Sequence, residues 1–431
     1  MGECIAEWAT CKVGDVASCT AGGTPSTQVY EYWSPEEVLW MSSGEVHKKR
    51  ITHTDKKISR IGLENSSAKI IPSESVVIAL AGQGKTRGTV AITKTELSTN
   101  QSIAAIRPCS AFFPEFLFYN LHSRYDELRQ MSSGEGGRGG LNLSIINSIE
   151  VPTPPLPEQK KIARILSTVD RKLELIEQQI TTTRTLKKGL MQKLFSEGVG
   201  TQDASGCWQP HTEFKDSELG KIPVGWELKN LSEVCKKIGD GIHATPKYVE
   251  NSEYYFVNGN NLKNGKLVIT ESTKCVSEEE LKKHQINLCD GTVLMSINGT
   301  IGNLAFYNGE KVVLGKSAAY LSVSDQIDNS YLFYLLSAPF IQKGFELELT
   351  GTTIKNLSLK SIRNTAIPVP TPKEQKEIAN ILSTVDKKLD HLTTRKDQTE
   401  QLKKGLMQQL LTGKIRVTPD PQDRDAEGVG E

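Results

Sequence analysis

Apolar residues recur every three or four positions along two stretches of this chain and alternate over short runs elsewhere. Within 158–194, Ile162, Leu166, Val169, Leu173, Ile176 and Ile180 fall four and three apart. That spacing lines one stripe of a helix and predicts a seam against a second helix. Within 374–410 the phase returns at Ile378, Leu382, Val385, Leu389 and Leu392, weakens at Lys396, and recovers at Leu402, Leu406 and Leu410. At constant offset 22 of the 37 positions are identical, more than shared helical composition gives. Each stretch comes after a proline-rich entry, VPTPPLPEQ (151–159) and IPVPTPKEQ (367–375), expected to end the preceding element and release a helix at the Glu-Gln. Two matching seams predict an antiparallel coiled-coil pair. Gly189 and Gly405 share one helical position, where glycine costs roughly 1 kcal/mol against alanine. Either close helix approach or a local break is expected there.

The segments ahead of the helices repeat more faintly. Trp8, Val13 and Val16 match Trp226, Leu231 and Val234; GGTPS (22–26) lies where GIHATP (241–246) lies. TRGTVA (86–91) matches TIGNLA (300–305), FLFYNL (116–121) matches YLFYLL (331–336), and NLS occurs at 142–144 and 356–358. Between these anchors the halves diverge: Lys48, Lys49 and Arg50 have no basic counterpart in the second. β-Branched runs at 75–80, 90–93, 292–297, 312–314 and 320–323, parted by Gly, Asn, Ser and Thr, predict strands. Short helices are expected at 114–121 and 331–345. The fold class is therefore α+β: two mixed, strand-rich domains, 1–150 and 200–366, joined by two long antiparallel coiled-coil helices, 151–199 and 367–417, in a pseudo-twofold internal repeat. The acidic, Pro/Gly-rich stretch 418–431 is expected to be a disordered tail.

Composition narrows the function. No apolar run reaches the roughly 18–20 residues of a membrane span. Met1 to Thr10 lacks the pattern of a secretory signal. The eight cysteines show no C-x-x-C pair or zinc spacing, which fits cytoplasmic thiols. The net charge of +1 is low for a chain that grips DNA alone, and residues 1–150 and 200–366 carry −1 and −2. Either DNA is not the ligand or other subunits supply phosphate contacts.

Motifs for catalysis are weak. ALAGQGKT (79–86) comes after a strand as a phosphate loop would, but RGTVAI, directly past Thr86, reads as strand, not helix, and a glycine hairpin is the default. A P-loop-like nucleotide-binding enzyme is one alternative; a scaffold that binds no DNA is another. The glycine run 132–140 must be a loop, with Arg138 able to grip a phosphate or a base edge. Lys187-Lys188 and Lys403-Lys404 read as solvated helix faces, with a partner contact second. There is no methyltransferase Asn/Asp-Pro-Pro-aromatic tetrapeptide, no nucleophile elbow and no H-E-x-x-H pair. No catalytic or metal residue is assigned.

The doubled PxPxxEQxxIAxxLSTVDxKL…LKKGLMQ helix resembles the specificity subunits of type I restriction–modification systems. GGTPS, WMSSGEV (40–46), ITHTDKKI (51–58), GLENSSAK (62–69) and TNQSIAAI (99–106) resemble that family's target-recognition domains. The first domain departs from the pattern in lacking a counterpart of the Ile222-Pro223-Val224-Gly225-Trp226 entry, with only Glu7-Trp8 left. The resemblance implies a non-catalytic chain in which each domain reads one half of a bipartite, asymmetric double-stranded DNA target. The helices would space the domains and dock two methyltransferase subunits, and motor–nuclease subunits would join. S-adenosylmethionine, ATP and Mg would belong to those partners, with no cofactor in this chain. Candidate DNA contacts are loop residues: Lys48, Lys49, Arg50, Lys85, Arg87 and Arg138 in the first domain, and His243, Lys247, Lys316 and Lys355 in the second.

Overall fold

The computed structural model describes residues 8–82, 84–132, 140–350 and 355–421. They fall into two compact units, the chain passing from one to the other at Glu177/Gln178 and back at Thr393/Thr394.

In unit one, strands β1 (Cys19–Ala21), β2 (Arg50–Ile51), β3 (Val76–Ala79), β4 (Val90–Thr93) and β5 (Ile103–Ile106) form a sheet in the order β1-β5-β3-β4-β2, antiparallel except at the β4–β2 edge. Both faces are covered, so β3, β4 and β5 are buried at every position. One face packs on α1 (Pro114–Ser123) and the first part of α2 (Leu156–Ser196), with Phe116, Leu117, Ile162 and Leu166 in one core with Leu410. The other packs Met41 and Ile71 from a second, four-stranded sheet, and Val46 from the short helical turn Ser43–Lys48.

Unit two repeats the plan. Strands β6 (Cys235–Asp240), β7 (Val293–Ser296), β8 (Leu304–Phe306) and β9 (Ala318–Val323) pair in the order β6-β9-β7-β8. Helix α3 (Asn329–Leu336) and the first part of α4 (Pro372–Leu410) cover one face through Tyr331, Leu332, Ile378 and Leu382. The stretch expected as one helix, 331–345, is two, because Pro339 opens a separate helix Pro339–Leu347.

Within each unit the long helices run antiparallel. In unit one Glu177 meets Lys396 and Asp170 meets Lys403, so residues pair in opposite order along the two helices. In unit two Lys187 meets Asp386, while Val199 and Gly200, just past α2, donate to Glu374 in the first turn of α4. Ile162, Leu166, Ile176, Ile180, Ile378, Leu382, Leu392 and Leu410 are buried, and Val169, Leu173, Val385, Leu389 and Leu406 half-buried. Leu402 is not part of the seam: it is 52% exposed, as is its counterpart Leu186.

Three further expectations are corrected. The helices start at Leu156 and Pro372, ahead of the Glu-Gln, because proline is tolerated in a first turn that has no hydrogen-bond partner for its nitrogen. Gly189 and Gly405 mark neither a break nor a close approach, since both helices are continuous and a Cβ at either glycine would meet nothing within 4 Å. Lys187 and Lys403 are no solvated face: each is paired with an aspartate, and Lys403 is 9% exposed.

The Glu-Gln itself is buried in both copies. Gln159 accepts from Phe113 N at 2.7 Å and donates to the carbonyls of Ala111 and Pro154, both at 2.9 Å. Gln375 accepts from Asp328 N at 2.8 Å and donates to Gln326 and Pro370 at 3.0 and 2.9 Å. One amide thus satisfies three backbone groups where the helix leaves its domain. Glu374 accepts the Trp226 indole at 2.8 Å; in unit one Glu158 instead receives both arms of Arg416, at 2.8 and 2.7 Å. Of the stretch 418–431, residues 422–431 lie outside the described residues; Asp420 is paired with Lys161 and Arg164.

Candidate nucleic-acid interface

Antiparallel pairing brings several loops to one end of each main sheet. In unit one β1 ends at Ala21, β3 ends at Ala79 and β5 begins at Ile103, so the loops at 22–26, 80–89 and 99–102 emerge together. Backbone hydrogen bonds tie them: Gly22 N to Ile103 O at 3.3 Å, Gly23 N to Thr99 O at 2.8 Å, and Leu80 N to Ser102 O at 2.8 Å. A Cβ on Gly22 would lie 2.0 Å from Thr99 O, which is why glycine opens this loop. The Trp40 indole fixes it from below, donating to Gly23 O at 2.9 Å. Thr24 donates to Gln101 across the cluster.

Unit two builds the same end. Gly241 N reaches Ala318 O at 3.2 Å, Ile242 N reaches Leu314 O at 2.8 Å, and a Cβ on Gly241 would stand 2.0 Å from Leu314 O. Gly299 N donates to Lys355 O at 3.1 Å and Asn298 Nδ2 to Lys316 O at 3.4 Å. His243, Asn298, Lys316 and Lys355 are thus gathered on one loop cluster.

The candidate residues divide accordingly. Lys85 is exposed on the β3–β4 hairpin beside half-buried Arg87, with Tyr125 donating to the Lys85 carbonyl at 2.9 Å. Lys316 and Lys355 are exposed, and His243, 73% exposed, contacts Asp240 at 2.9 Å. Lys247 is exposed, and its backbone nitrogen meets Glu280 at 3.3 Å. Lys48, Lys49 and Arg50 are not with Lys85: β2 is the sheet's far edge, and Arg50 pairs alongside Ile92, away from the loop end. Lys48 is held by Glu45 and Asp55 at 2.9 and 2.7 Å, and the hydrogen bonds it donates to Asp55 and Glu45 push its pKa up. Lys49 is exposed at φ 63°. Arg50 sits in a strand, not a loop, bound to Tyr119, Glu115 and Asp170 at 2.8, 3.1 and 3.4 Å. Burial works against its charge, but those three partners outweigh burial and raise its pKa. Arg138 lies outside the described residues.

Sequence reasoning passed over Thr24, Gln101 and Asn298, polar but uncharged, and a polar cavity of about 240 Å³ in unit two. Tyr248, Phe256, Asn258, Asn260, Lys263 and Lys274 line it. Asn258 accepts from Ser317, beside Lys316, at 2.9 Å, which joins the cavity to the loop cluster. Its only sequence signal was the asparagine-rich stretch 258–264.

The stretch 79–86 is a hairpin between antiparallel β3 and β4, with Gly82 and Gly84 at positive φ and Gln83 outside the described residues. The hairpin leads into a strand instead of a helix that could hold phosphates, and the nucleotide-binding alternative has no support. Among the described residues no His/Cys/Asp/Glu group could hold a metal, and no helix is long and apolar enough to cross a membrane.

One scaffold built twice, with dissimilar side chains at matching loop ends, defines a two-module recognition protein with long helices between the modules. Residues 5–183 and 223–401 both match the type I restriction modification DNA specificity domain, and the chain belongs to that family. It is a non-catalytic specificity subunit. It is 29% identical over 436 residues to the type I restriction enzyme MjaVIII specificity subunit of Methanocaldococcus jannaschii, covering 95% of this chain and 93% of that one. The MjaIX specificity subunit of the same organism is 26% identical over 431 residues, covering 97% and 95%. In fold it matches the crystal structure of a type I restriction–modification S subunit from M. genitalium, with TM-score 0.59, 16% identity, and 95% and 97% coverage.

Proposed function

We propose that each domain reads one half of a bipartite, asymmetric DNA target through its loop cluster, within a cytoplasmic complex. The helices set the spacing and dock two methyltransferase subunits, to which motor–nuclease subunits add. S-adenosylmethionine, ATP and Mg are bound by those partners. The recognition domains are 1–150 and 200–366, the spacer helices 151–199 and 367–417, and the tail 418–431. One observation carries the reading: the two loop ends share a backbone frame, glycine included, but present Thr24, Lys85 and Gln101 in one and His243, Asn298, Lys316 and Lys355 in the other. A shared frame with different donors and acceptors is what two different base sequences require. Lys85, Arg87, Arg138, His243, Lys247, Lys316 and Lys355 are the proposed contacts. Lys48, Lys49 and Arg50 serve the backbone side of the duplex or, for Arg50, the domain's seat on its helices.

The test is to map methylated adenines in cells carrying the whole complex. Wild type is expected to modify one bipartite sequence. Lys316→Ala with Lys355→Ala is expected to relax or weaken one half-site, each lost base contact costing about 1–3 kcal/mol, and to leave the other half unchanged. Loss spread equally over both halves would overturn the assignment.

A further inference from the structure

Asp170 on α2 is 8% exposed and is met by groups from three other elements. Lys403 Nζ of α4 lies 2.5 Å away, the Tyr119 hydroxyl of α1 donates at 2.7 Å, and Arg50 of β2 approaches to 3.4 Å. The Lys403 ammonium also lies 5.5 Å from the centre of the Tyr119 ring. In unit two Asp386 on α4 takes Lys187 of α2 at 2.5 Å, and Lys187 lies 5.5 Å from the Tyr334 ring centre on α3. Burial, with the Asp386 charge and a hydrogen bond to it, raises the Tyr334 pKa. Asp170 and Asp386 are one position of the repeated helix, Lys403 and Lys187 another, and Tyr119 and Tyr334 match in FLFYNL and YLFYLL.

A buried ion pair is a weak source of stability, since apolar groups of the same volume serve as well; its best-attested use is to fix a register. The heptad seam leaves that use open. Slipping the helices of unit one by seven residues keeps the heptad phase, but sets Lys403 against Ala163 in one direction, where Asp170 meets Lys396, and Asp170 against Leu410 in the other, where Lys403 meets Glu177. In unit two the same slips set Lys187 against Ala379 or Asp386 against Leu194. Each leaves a buried charge without its partner.

We propose that Asp170–Lys403–Tyr119 and Asp386–Lys187–Tyr334 are positioning latches that fix the helix register and each recognition domain's seat on its helices, and so set which spacer lengths are read. The proposal rests on the bipartite reading above. Lysine and aspartate fix the sliding of one helix along the other, and the tyrosine ties the domain to the same carboxylate. Arg50, with Glu115, adds a further tie in unit one.

The experiment uses the whole complex in cells and reads the spacer between modified half-sites, with thermal stability measured alongside. Asp170→Leu with Lys403→Leu is expected to keep both half-sites, with a fall in melting temperature from the carboxylate lost to Tyr119 and Arg50. The share of modified adenines at other spacings should rise about tenfold. Tyr119→Phe and Tyr334→Phe, which keep the packing, are expected to shift it the same way by less, and decide the matter if the double variant fails to assemble. A spacer that stays at the wild-type length in all variants overturns the latch and leaves the proposed function standing. A wild-type complex that modifies no bipartite sequence overturns the proposed function instead.

Discussion

His122 stacks on Phe118 with ring centres 5.4 Å apart. Burial, then the charges of Lys49 and Lys403, lower its pKa to about 4. Arg50 adds to the lowering and Asp170 opposes it. The folded protein therefore holds a neutral imidazole where the unfolded chain takes up a proton near pH 6.5. Stability contributed by the neutral ring is present above that value and lost as the pH falls from about 6.5 to 4, by up to about 3 kcal/mol. His122→Phe is expected to flatten this limb in urea unfolding measured at pH 7 and 4.5; an unchanged slope would show that another group titrates there. At this scale the sequence was least legible. It marked Lys and Arg as candidate contacts by charge alone, while Arg50 and Lys48 are paired with acidic partners inside unit one. Which lysines face acids depends on strands far apart in sequence, and no local pattern carries that. Thr24, Gln101 and Asn298 gave no signal because a polar loop residue looks the same whether it faces water or a ligand.

The long helices were legible because a seam repeated at constant offset leaves few alternatives. Their glycines were not. Gly189 and Gly405 sit in continuous helix with open space where a Cβ would project, so they serve no packing purpose within the described residues. Gly189→Ala and Gly405→Ala are each expected to stabilise the chain by about 0.5–1 kcal/mol, through lower backbone entropy in the unfolded state. Thermal melts of the single and double variants check this, and a drop in melting temperature would mean the glycine conformation is needed. Leu402 was read into the seam because leucine at a near-heptad spacing looks like core. Lys403 is buried instead, since its charge has Asp170 to meet. Proline placement misled by two residues, because a first-turn proline continues a helix as readily as it precedes one. The five strands read from the sequence lie within two residues of observed ones, since β3, β4, β7 and the strand Val312–Leu314 are apolar runs bounded by turn residues, but others in the same sheets, such as β1, β5, β6 and β8, were not read.

The near-neutral charge of the whole chain bears on how the complex must work. With −1 and −2 on the proposed domains, the proposed base readout would draw phosphate contacts from other subunits, and binding by the isolated chain is expected to be weak. Under the proposed function, what the chain contributes is the spacing between two readings. Both long helices pass between the units, at Glu177/Gln178 and at Thr393/Thr394. Four residues inserted at both junctions leave the contacts inside each unit untouched and turn each helix by only about 40° beyond a full revolution. They add about 6 Å of rise, between one and two base-pair steps of about 3.4 Å. The complex carrying both insertions is expected to modify the same two half-site sequences with one or two more base pairs between them, as methylation mapping will read. An insertion in one helix alone breaks the match between the two and should lower modification at every spacing. If the double insertion changed the bases of a half-site and left the gap alone, the helices would not be what measures the distance.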